Sequence, residues 1–498
     1  MIAAYCWPQS ALPEETIKIF CHTEAESFQF TVLRQGKNIE KIIESRGLEG
    51  KPQTISPDIS VEGCDWDPSF ELVIDPNWNS GFYLVRLEDS DGETSEAFFV
   101  VRAKERKQGL FILATSTWNA YNTWGGPSYY TGGYVTSLKR PLPSGFLSKK
   151  EPERHRIARY KCWPKEDARA FVSEGYDDWS MAAGWANWEV LFAQWAESSG
   201  YDLGYAVSQD LDEFPDLLSN APLYISVGHD EYWSEGMRNN LENFVERGGK
   251  AAFLSGNTSF WQVRFENDYR QMRGYKANMT KDPLYDGKKC STLATMWSDP
   301  LIDRPESQMT GVSFSRGGYA HMPNSPDGTG GYTVWQPEHW VYEGTGLQKG
   351  DVLGGEKIVV GYECDGCDLK FIDDKPIPTG ECGAPLNFKI LGTAPAHLWE
   401  TEESLGNVSD NYVGELNWVA ERIGGGDTPE VRERFSNGHA VLGTFKKGNG
   451  EVFTVGCTDW AYGLTDKNVS RVTKNVLNRF AGLAENAERE QIKYENRK

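Results

Sequence analysis

A short stretch near the middle of the chain brings one imidazole and two carboxylates together within three residues. His229, Asp230 and Glu231 follow directly on the run Leu223-Tyr-Ile-Ser-Val-Gly. Side chains of these types can bind a metal ion or transfer protons near neutral pH. The run has the length and composition of a strand buried on both faces, so the polar groups are expected at its carboxyl end. The structural alternative is a polar loop whose charges are incidental.

Other strand-like segments also end in oxygen-bearing side chains. Tyr121 follows a predicted strand over residues 110–115, Asn257 follows one over residues 251–256, and Glu363 ends another apolar run. Ligands of open α/β sheets bind beyond the carboxyl ends of the strands, so these groups are expected around one crevice. Phenol and carboxylate oxygens are hard ligands that suit ferric iron better than copper, and a trivalent ion would lower the pKa of a tyrosine enough to ionise it.

The segment after Tyr121 is rich in glycine and tyrosine, and three of its tyrosines could join Tyr121 at a metal ion. They are Tyr129, Tyr130 and Tyr134. The segment is more elaborate than a simple connection between two elements requires. Tyrosines in such loops more often pack than bind a ligand, and residue types and spacing do not choose among the three.

Several familiar catalytic motifs are absent from the sequence. It has no Gly-x-Ser-x-Gly, no glycine-rich phosphate loop and no His-Glu-x-x-His, so serine hydrolases, P-loop enzymes and zinc proteases lose their usual support. His229-x-Glu231 together with Cys364-x-x-Cys367 resembles the signature of zinc deaminases. That signature requires proline before the first cysteine, where this chain has Glu363, which argues against a deaminase.

The elements that must position these groups are expected to form two domains and a tail. Over residues 1–107, short strands with alternating polar and apolar residues predict an immunoglobulin-like β-sandwich that carries no chemistry. Over residues 108–484, apolar strands alternate with helices, which predicts an α/β domain with a largely parallel, doubly wound sheet. Residues 485–498 are a charged tail.

Within the α/β domain, helical spacing of apolar residues predicts helices near residues 185–200, after Ser234, and over residues 468–480. Periodicity is weak over residues 275–340, which are expected to be an insertion that folds over the site.

Composition limits the classes of function. The chain has 498 residues and a formal net charge of −21, which disfavours nucleic-acid partners because those require a basic surface. No stretch is apolar enough to cross a membrane, and the start of the chain has no export signal, so a cytoplasmic location is expected. Nine scattered cysteines do not form a disulfide framework, although a structural metal or disulfide among Cys364, Cys367 and Cys382 stays open.

Several of these motifs together resemble one family, that of the large (β) subunit of N,N-dimethylformamidase. The likeness covers nearly the whole chain and is most specific at Val227-Gly-His-Asp-Glu-Tyr-Trp233. The other motifs, each weak alone, are Tyr5-x-x-Pro8 with Glu14-Glu-Thr-Ile, Trp118-x-Ala-Tyr-Asn122, Ser137-Leu-Lys-Arg-Pro141, Ser255-Gly-Asn257, Gly361-Tyr-Glu363 and Asn475-Val-Leu-Asn-Arg-Phe.

The resemblance implies a catalytic domain with a class I glutamine amidotransferase-like fold and a mononuclear Fe(III) held by two tyrosines and a glutamate. Glu231 matches the glutamate and Tyr121 matches the first tyrosine. Tyr130 is favoured as the second because Ser128-Tyr-Tyr130 precedes Arg140-Pro141 as in the family. A homo-oligomer is expected, and a small partner subunit is possible.

The resemblance also implies the reaction, which is hydrolysis of the C–N bond of a small amide. His229, Asn257 and Glu363 match positions that line the metal site, and Glu363 is the expected general base for the attacking water. This chain departs from the family in a shorter tyrosine loop and in an apparent insertion over residues 162–179, which leaves the substrate open.

A function of a different class is a non-catalytic or carbohydrate-binding protein. Its ligand would stack in an aromatic cleft lined by Trp118, Trp124, Trp233 and Trp261.

Overall fold

The computed structural model describes residues 1–158, 174–322, 325–400 and 415–483. The charged tail and most of the apparent insertion at residues 162–179 lie outside these ranges. None of the helices in the described ranges has the length and hydropathy needed to cross a membrane.

The first hundred residues form two sheets that face each other. Their strands are β1 (Ile2–Trp7), β2 (Ser10–Ala11), β3 (Thr16–Thr23), β4 (Ser27–Gln35), β5 (Ile39–Glu49), β6 (Phe70–Val73), β7 (Gly81–Asp89) and β8 (Thr94–Val101). One sheet has the order β1-β3-β6 and the other β2-β8-β7-β4-β5. Alternate side chains of both sheets share one apolar core, which includes Ile17, Ile19, Phe30 and Val85. The prediction of short strands over this region is confirmed, although β1 is buried along almost its whole length and does not alternate.

The next part of the chain begins the main sheet and also forms a separate four-stranded sheet. The strands are β9 (Gly109–Leu113), β10 (Val135–Ser137), β11 (Leu203–Val207), β12 (Leu223–His229), β13 (Tyr232–Ser234), β14 (Lys250–Gly256), β15 (Trp261–Glu266) and β16 (Gln271–Arg273). The four-stranded sheet has the order β10-β16-β15-β13. Strands β11, β9, β12 and β14 pair in parallel in that order, and their side chains are almost entirely buried. The apolar runs near residues 110, 223 and 251 are thus confirmed as parallel strands.

The remaining strands complete the main sheet, except for one pair. They are β17 (Ser313–Tyr319), β18 (Tyr332–Val334), β19 (Val352–Leu353), β20 (Glu363–Gly366), β21 (Leu369–Ile372), β22 (Lys375–Pro378), β23 (Lys389–His397), β24 (Asn437–Lys447) and β25 (Gly450–Thr454). The exception is β21 and β22, which pair with each other as a separate hairpin. The main sheet has the order β11-β9-β12-β14-β25-β24-β23-β17-β20.

Only half of this sheet is parallel. From β25 onward its neighbours pair antiparallel, so the prediction of a largely parallel sheet was wrong for that half. An apolar run shows that a strand is buried on both faces but does not determine the direction of its neighbour. The immunoglobulin-like and glutamine amidotransferase-like assignments stay predictions.

Helices connect and cover the strands. The α-helices are Ile59–Glu62, Thr115–Tyr121, Glu189–Ser198, Ser208–Glu213, Glu235–Glu246, Ser307–Thr310, Glu415–Arg422, Pro429–Ser436 and Lys467–Phe480. Short 3-10 helices cover Leu217–Asn220, Lys276–Lys281, Trp340–Tyr342, Gly355–Lys357 and Thr458–Thr465. The three helices predicted from apolar spacing are present, with shifted ends.

Two predictions about individual segments were wrong. Glu363 does not end a strand, because β20 begins at Glu363. The residues before it include a 3-10 turn and then Ile358, which has a left-handed backbone conformation (φ 51°). Residues 275–340 are not only an insertion over the site, because β17 lies within the main sheet. Its sequence Ser-Phe-Ser-Arg-Gly-Gly-Tyr is fully buried without being apolar, so hydrophobic periodicity cannot reveal it.

Asp466 caps the last helix, whose buried face is apolar apart from Thr473. The Asp466 carboxylate accepts hydrogen bonds from the backbone N–H groups of Asn468 and Val469, both 2.9 Å away. Asp466→Ala is expected to lower the free energy of unfolding by about 1 kcal/mol, because those N–H groups lose their partner. Asp466→Asn keeps an acceptor oxygen and should change stability much less. Urea unfolding of both variants measures the difference, and equal losses would contradict the capping role.

Candidate active site

Six side chains singled out from the sequence lie together at the carboxyl edge of the parallel strands. They are Tyr121, Tyr130, His229, Glu231, Asn257 and Glu363, and all six are buried. They form two groups that meet at His229. One group joins two phenols to a carboxylate, and the other joins the imidazole to a second carboxylate and an amide.

In the first group, both phenol hydroxyls donate to the carboxylate of Glu231. Tyr121 Oη lies 3.0 Å from Glu231 Oε2, and Tyr130 Oη lies 3.0 and 3.1 Å from its two oxygens. The two phenol rings stack with centroids 4.1 Å apart. The stacking fixes both rings, so the three oxygen donors are held close together before any ligand binds.

Local structure explains why Glu231 points here. Gly228 has φ 78°, a left-handed conformation that suits glycine, and a Cβ at this position would lie 2.6 Å from Cβ of Trp188. The backbone turns at Gly228, just before the end of β12, and the Thr117 hydroxyl then accepts the N–H of Glu231 at 2.9 Å. Because Thr117 lies in the same helix as Tyr121, this contact ties the carboxylate to its phenol partner.

In the second group, His229 bridges the two carboxylates. Its Nε2 lies 2.6 Å from Glu363 Oε2 and 3.3 Å from Glu231 Oε2. Its Nδ1 lies 2.7 Å from the carbonyl oxygen of Ala182, which can only accept, so Nδ1 carries a proton. The imidazole is therefore oriented with Nε2 as the nitrogen available for proton transfer.

Asn257 completes the second group from the loop after β14. Its Nδ2 donates to Glu363 Oε2 at 3.1 Å, and its backbone has φ 47°, which is uncommon outside glycine. Its side-chain oxygen Oδ1 is buried, and no hydrogen-bond partner for it is found in the described part of the chain. A buried acceptor of this kind is a position at which a bound molecule can donate a hydrogen bond.

Burial and charge perturb the titration of these groups. Burial first, and the Glu231 carboxylate second, raise the pKa of Tyr121 and of Tyr130 well above the usual value. Burial alone would lower the pKa of His229, but Glu363 and Glu231 raise it well above its usual range. Burial likewise opposes ionisation of Glu231, yet His229 and then Lys276 hold its pKa below the ordinary value.

The oxygen donors fit the demands of a hard metal ion. Two adjacent oxygens at right angles around an ion with bonds of ~2.0 Å would be about 2.8 Å apart, close to the separations seen here. In the described ranges no group of three or more His, Cys, Asp and Glu side chains is arranged for a metal, so a metal here would depend on the phenol oxygens. Both phenols would then have to ionise, which requires a highly charged cation to reverse the effect of burial.

The structure separates the three tyrosines that the sequence left open. Tyr130 reaches Glu231, whereas the Tyr129 hydroxyl donates to the carbonyl of Met272 at 2.8 Å. The Tyr134 hydroxyl accepts from Lys281 at 2.7 Å. Tyr130 is thus the one of the three whose oxygen lies beside Glu231 and Tyr121.

Sequence analysis missed three residues of the site. Lys276 places its ammonium 3.6 Å from the ring centroid of Tyr130, and its pKa is lowered by burial against the opposing effect of nearby carboxylates. Tyr232 donates to the Tyr130 hydroxyl at 2.9 Å, and Trp179 packs on both stacked phenols. Tyr232 lies within the His-Asp-Glu-Tyr-Trp motif, which was a usable signal. Nothing in local sequence marked Lys276.

The aromatic cleft proposed for a binding protein is not formed. Trp118 packs on Phe98 at the junction with the sandwich, and Trp233 packs on Tyr224 in a separate core. Trp124 contacts Trp66 of the sandwich. Of the four tryptophans, only Trp261 lies near the site, 5.5 Å from the ammonium of Lys276. That interpretation was therefore wrong about the cleft.

The three cysteines that the sequence left open as a possible disulfide are not bonded to one another. Cys364, Cys367 and Cys382 are free thiols, as are the other cysteines within the described ranges. The possible disulfide among them is thus not present.

Comparison with known proteins places the chain in a family. The family model for the C-terminal part of the N,N-dimethylformamidase beta subunit-like proteins matches residues 30–474. The chain belongs to this family. All six clustered side chains, and the two elements that carry Lys276 and Trp179, fall within the matched region.

Two curated members of the family are similar to this chain. The N,N-dimethylformamidase beta subunit of Paracoccus aminophilus is 23% identical over 471 residues, which cover 84% of this chain and 55% of that protein. The N,N-dimethylformamidase beta subunit of an Alcaligenes species is 22% identical with the same coverage. This member of the family therefore spans about half the length of the curated relatives it matches.

Among solved structures, a crystal structure of murine CEACAM1b overlaps 23% of this chain and 63% of its own. The identity is 14% and the TM-score 0.13. A likeness this slight does not support any fold assignment.

Proposed function

We propose that this protein is an Fe(III)-dependent hydrolase that cleaves the C–N bond of a small amide. The observation that carries the proposal is the meeting of two phenols and a carboxylate within 3.1 Å, beside an imidazole paired with a second carboxylate. The family relationship supports amide hydrolysis, since the relatives carry the name N,N-dimethylformamidase.

Tyr121, Tyr130 and Glu231 would hold one ferric ion. Hard anionic oxygens are the ligands that such an ion prefers. When bound, it supplies a Lewis acid that polarises an amide carbonyl and lowers the pKa of water. Tyr232 supports the set by its hydrogen bond to Tyr130, and outer contacts of this kind tune the donor strength of a ligand.

Glu363 acts as the base that removes a proton from the attacking water. Its Oε2 lies 2.6 Å from His229 Nε2 and accepts a hydrogen bond from Asn257 Nδ2 at 3.1 Å, which holds that oxygen in place. A base must be fixed at hydrogen-bond distance from the proton it accepts, and these two contacts provide that rigidity.

His229 then returns a proton to the leaving nitrogen. Its Nδ1 proton is committed to the carbonyl of Ala182, so the proton that moves is the one on Nε2. The neighbouring carboxylates favour the protonated ring, which keeps that proton available at neutral pH. The unpartnered Oδ1 of Asn257 can accept a hydrogen bond from the N–H of an amide or from water.

The names of the relatives support partners for this chain. Both are named as a beta subunit, which favours an assembly of more than one kind of chain. We therefore extend the proposal to an assembly with copies of itself and with a small second subunit.

Elemental analysis together with an amide assay tests the proposal. Purified protein should contain about one iron per chain, because one set of three ligands holds a single ion. It should also release an amine from simple formamides. Protein that binds no iron when supplied with it, and that releases no amine from any amide, would contradict the proposal.

A further inference from the structure

Five buried polar side chains outside the six of the site form a network of hydrogen bonds between the strands that carry the site. They are Ser226 on β12, Asp230 just after β12, Ser255 on β14, Thr258 in the loop after β14 and Asp365 on β20. The Ser226 hydroxyl lies 2.7 Å from Asp230 Oδ2 and 2.9 Å from Ser255 Oγ. Ser255 Oγ lies 2.9 Å from Thr258 Oγ1, and the N–H of Thr258 donates to Asp365 Oδ2 at 3.0 Å. The network therefore joins β12, β14 and β20.

The loop after β14 has an unusual backbone conformation, and the network holds it in place. Asn257 and Ser259 have φ of 47° and 57°, which are left-handed values that are uncommon outside glycine. A backbone in this region persists only where surrounding contacts enforce it. Ser255 and Thr258 lie on either side of Asn257 in sequence, and the contact between their hydroxyls closes the loop around it.

Two neighbouring residues of this loop attach to two residues of β20. Glu363 and Asp365 are two positions apart on that strand, so their side chains leave the same face. Asn257 Nδ2 donates to Glu363 Oε2 at 3.1 Å, and the N–H of Thr258 donates to Asp365 Oδ2 at 3.0 Å. The first contact involves the proposed base, whereas the second fixes how the loop and the strand lie against each other.

The hydrogen bonding of Asp365 is directed at the loop. Its other oxygen, Oδ1, is buried, and no hydrogen-bond partner for it is found in the described ranges. Burial raises the pKa of Asp365 to about 8, although the N–H groups of Thr258 and Asn257 oppose that shift. The carboxyl group is therefore neutral at pH 7, so an asparagine in its place changes neither the charge nor the shape of the side chain.

We propose that Asp365 is a positioning residue that sets where Asn257 meets Glu363. It acts through the N–H of Thr258, and the hydroxyl contacts of the network hold the loop from the side of β12. Displacement of a reacting group by about 1 Å can cost about 10²-fold in rate, so such a contact matters for turnover. Its effect on turnover rests on the proposed function, whereas its effect on the contact between Asn257 and Glu363 does not depend on any reaction.

Solvent exchange of the Asn257 side-chain amide tests the inference without iron or turnover. Protein labelled with ¹⁵N on asparagine gives the signal, which is identified by its loss in Asn257→Ala. In Asp365→Ala the exchange should become about tenfold faster, because the N–H of Thr258 loses its acceptor and the loop opens more often. Asp365→Asn keeps an acceptor oxygen and should stay within about threefold of the parent. In an active parent, kcat should fall about 10²-fold in Asp365→Ala and recover in Asp365→Asn.

Asp89→Ala is the matched control, because Asp89 is also a buried carboxyl group that accepts backbone N–H groups, but it lies in the N-terminal sandwich. Its Oδ1 accepts from Asp91 at 3.1 Å and from Glu93 at 3.0 Å. Loss of these bonds should lower the melting temperature without changing the exchange of the Asn257 amide.

A second variant keeps the test open if Asp365→Ala does not fold. Ser255→Ala removes the hydroxyl contact with Thr258 and should speed the same exchange about threefold. Unchanged exchange in the folded variant, or equal exchange in Asp365→Ala and Asp365→Asn, would overturn the inference. If the exchange responds as expected in a parent that hydrolyses no amide, the positioning role stands and the proposed reaction fails instead.

Discussion

Tyr121→Phe is expected to abolish iron binding, colour and hydrolysis together. The phenyl ring keeps the stacking on Tyr130 at a centroid separation near 4.1 Å, but it has no oxygen donor. Phenolate bound to ferric iron gives a charge-transfer absorption, so its loss can be followed in the visible spectrum. We expect iron per chain to fall at least tenfold, since loss of even an outer contact costs 10- to 100-fold in metal affinity.

Tyr129→Phe is the matched control for that experiment. Tyr129 is next to Tyr130 in sequence, but its hydroxyl donates to the carbonyl of Met272 rather than to Glu231. The variant should keep iron and colour. If Tyr121→Phe retains full iron and colour, or if Tyr129→Phe loses both, the assignment of the ligands is wrong.

Glu363→Gln is expected to separate the metal from the reaction. The amide keeps the shape of the side chain and lies outside the proposed ligand set, so iron and colour should remain. It cannot take a proton from water, so kcat should fall by about 10²- to 10⁴-fold, the usual range for loss of a general base. Amine release and visible absorption of the same preparation measure both effects.

Glu306→Gln provides a control for burying an amide in place of a carboxyl group. Glu306 is fully buried, accepts a hydrogen bond from Ser313, and has a pKa raised by burial to about 7. Because it does not contact the six clustered side chains, its variant should retain activity. Near-normal kcat in Glu363→Gln would show that another group serves as the base.

The sequence alone was sufficient for those parts of the fold that depend on local patterns. Strands β9, β12 and β14 are mostly apolar and span five to seven residues, and this composition indicates burial on both faces. Strand β4 of the N-terminal sandwich alternates apolar and polar residues, which the period of two reveals. Because parallel strands share one carboxyl edge, Tyr121, His229 and Asn257 could be expected near each other from their positions after those strands.

The backbone conformation that places Glu363 in the site was not indicated by the sequence. The apolar residues Val359, Val360 and Tyr362 before it are buried, yet they follow a 3-10 turn at Gly355–Lys357 and do not form a strand. Buried positions favour apolar residues in any backbone conformation, so composition alone could not distinguish a strand from a turn. The end of an apolar run and the family resemblance both singled out Glu363; the predicted element was wrong, and the role of the residue stays a prediction.

The tertiary structure alone decided which distant groups complete the site. Lys276 and Trp179 come from segments without regular periodicity, and each reaches Tyr130 through packing between parts of the chain far apart in sequence. The direction of β17, β20, β23 and β24 was decided in the same way. Hydrogen bonding between strands and contacts between side chains are pairwise properties of the folded chain. A single sequence indicates which residues prefer burial, whereas the folded structure determines which of them are in contact.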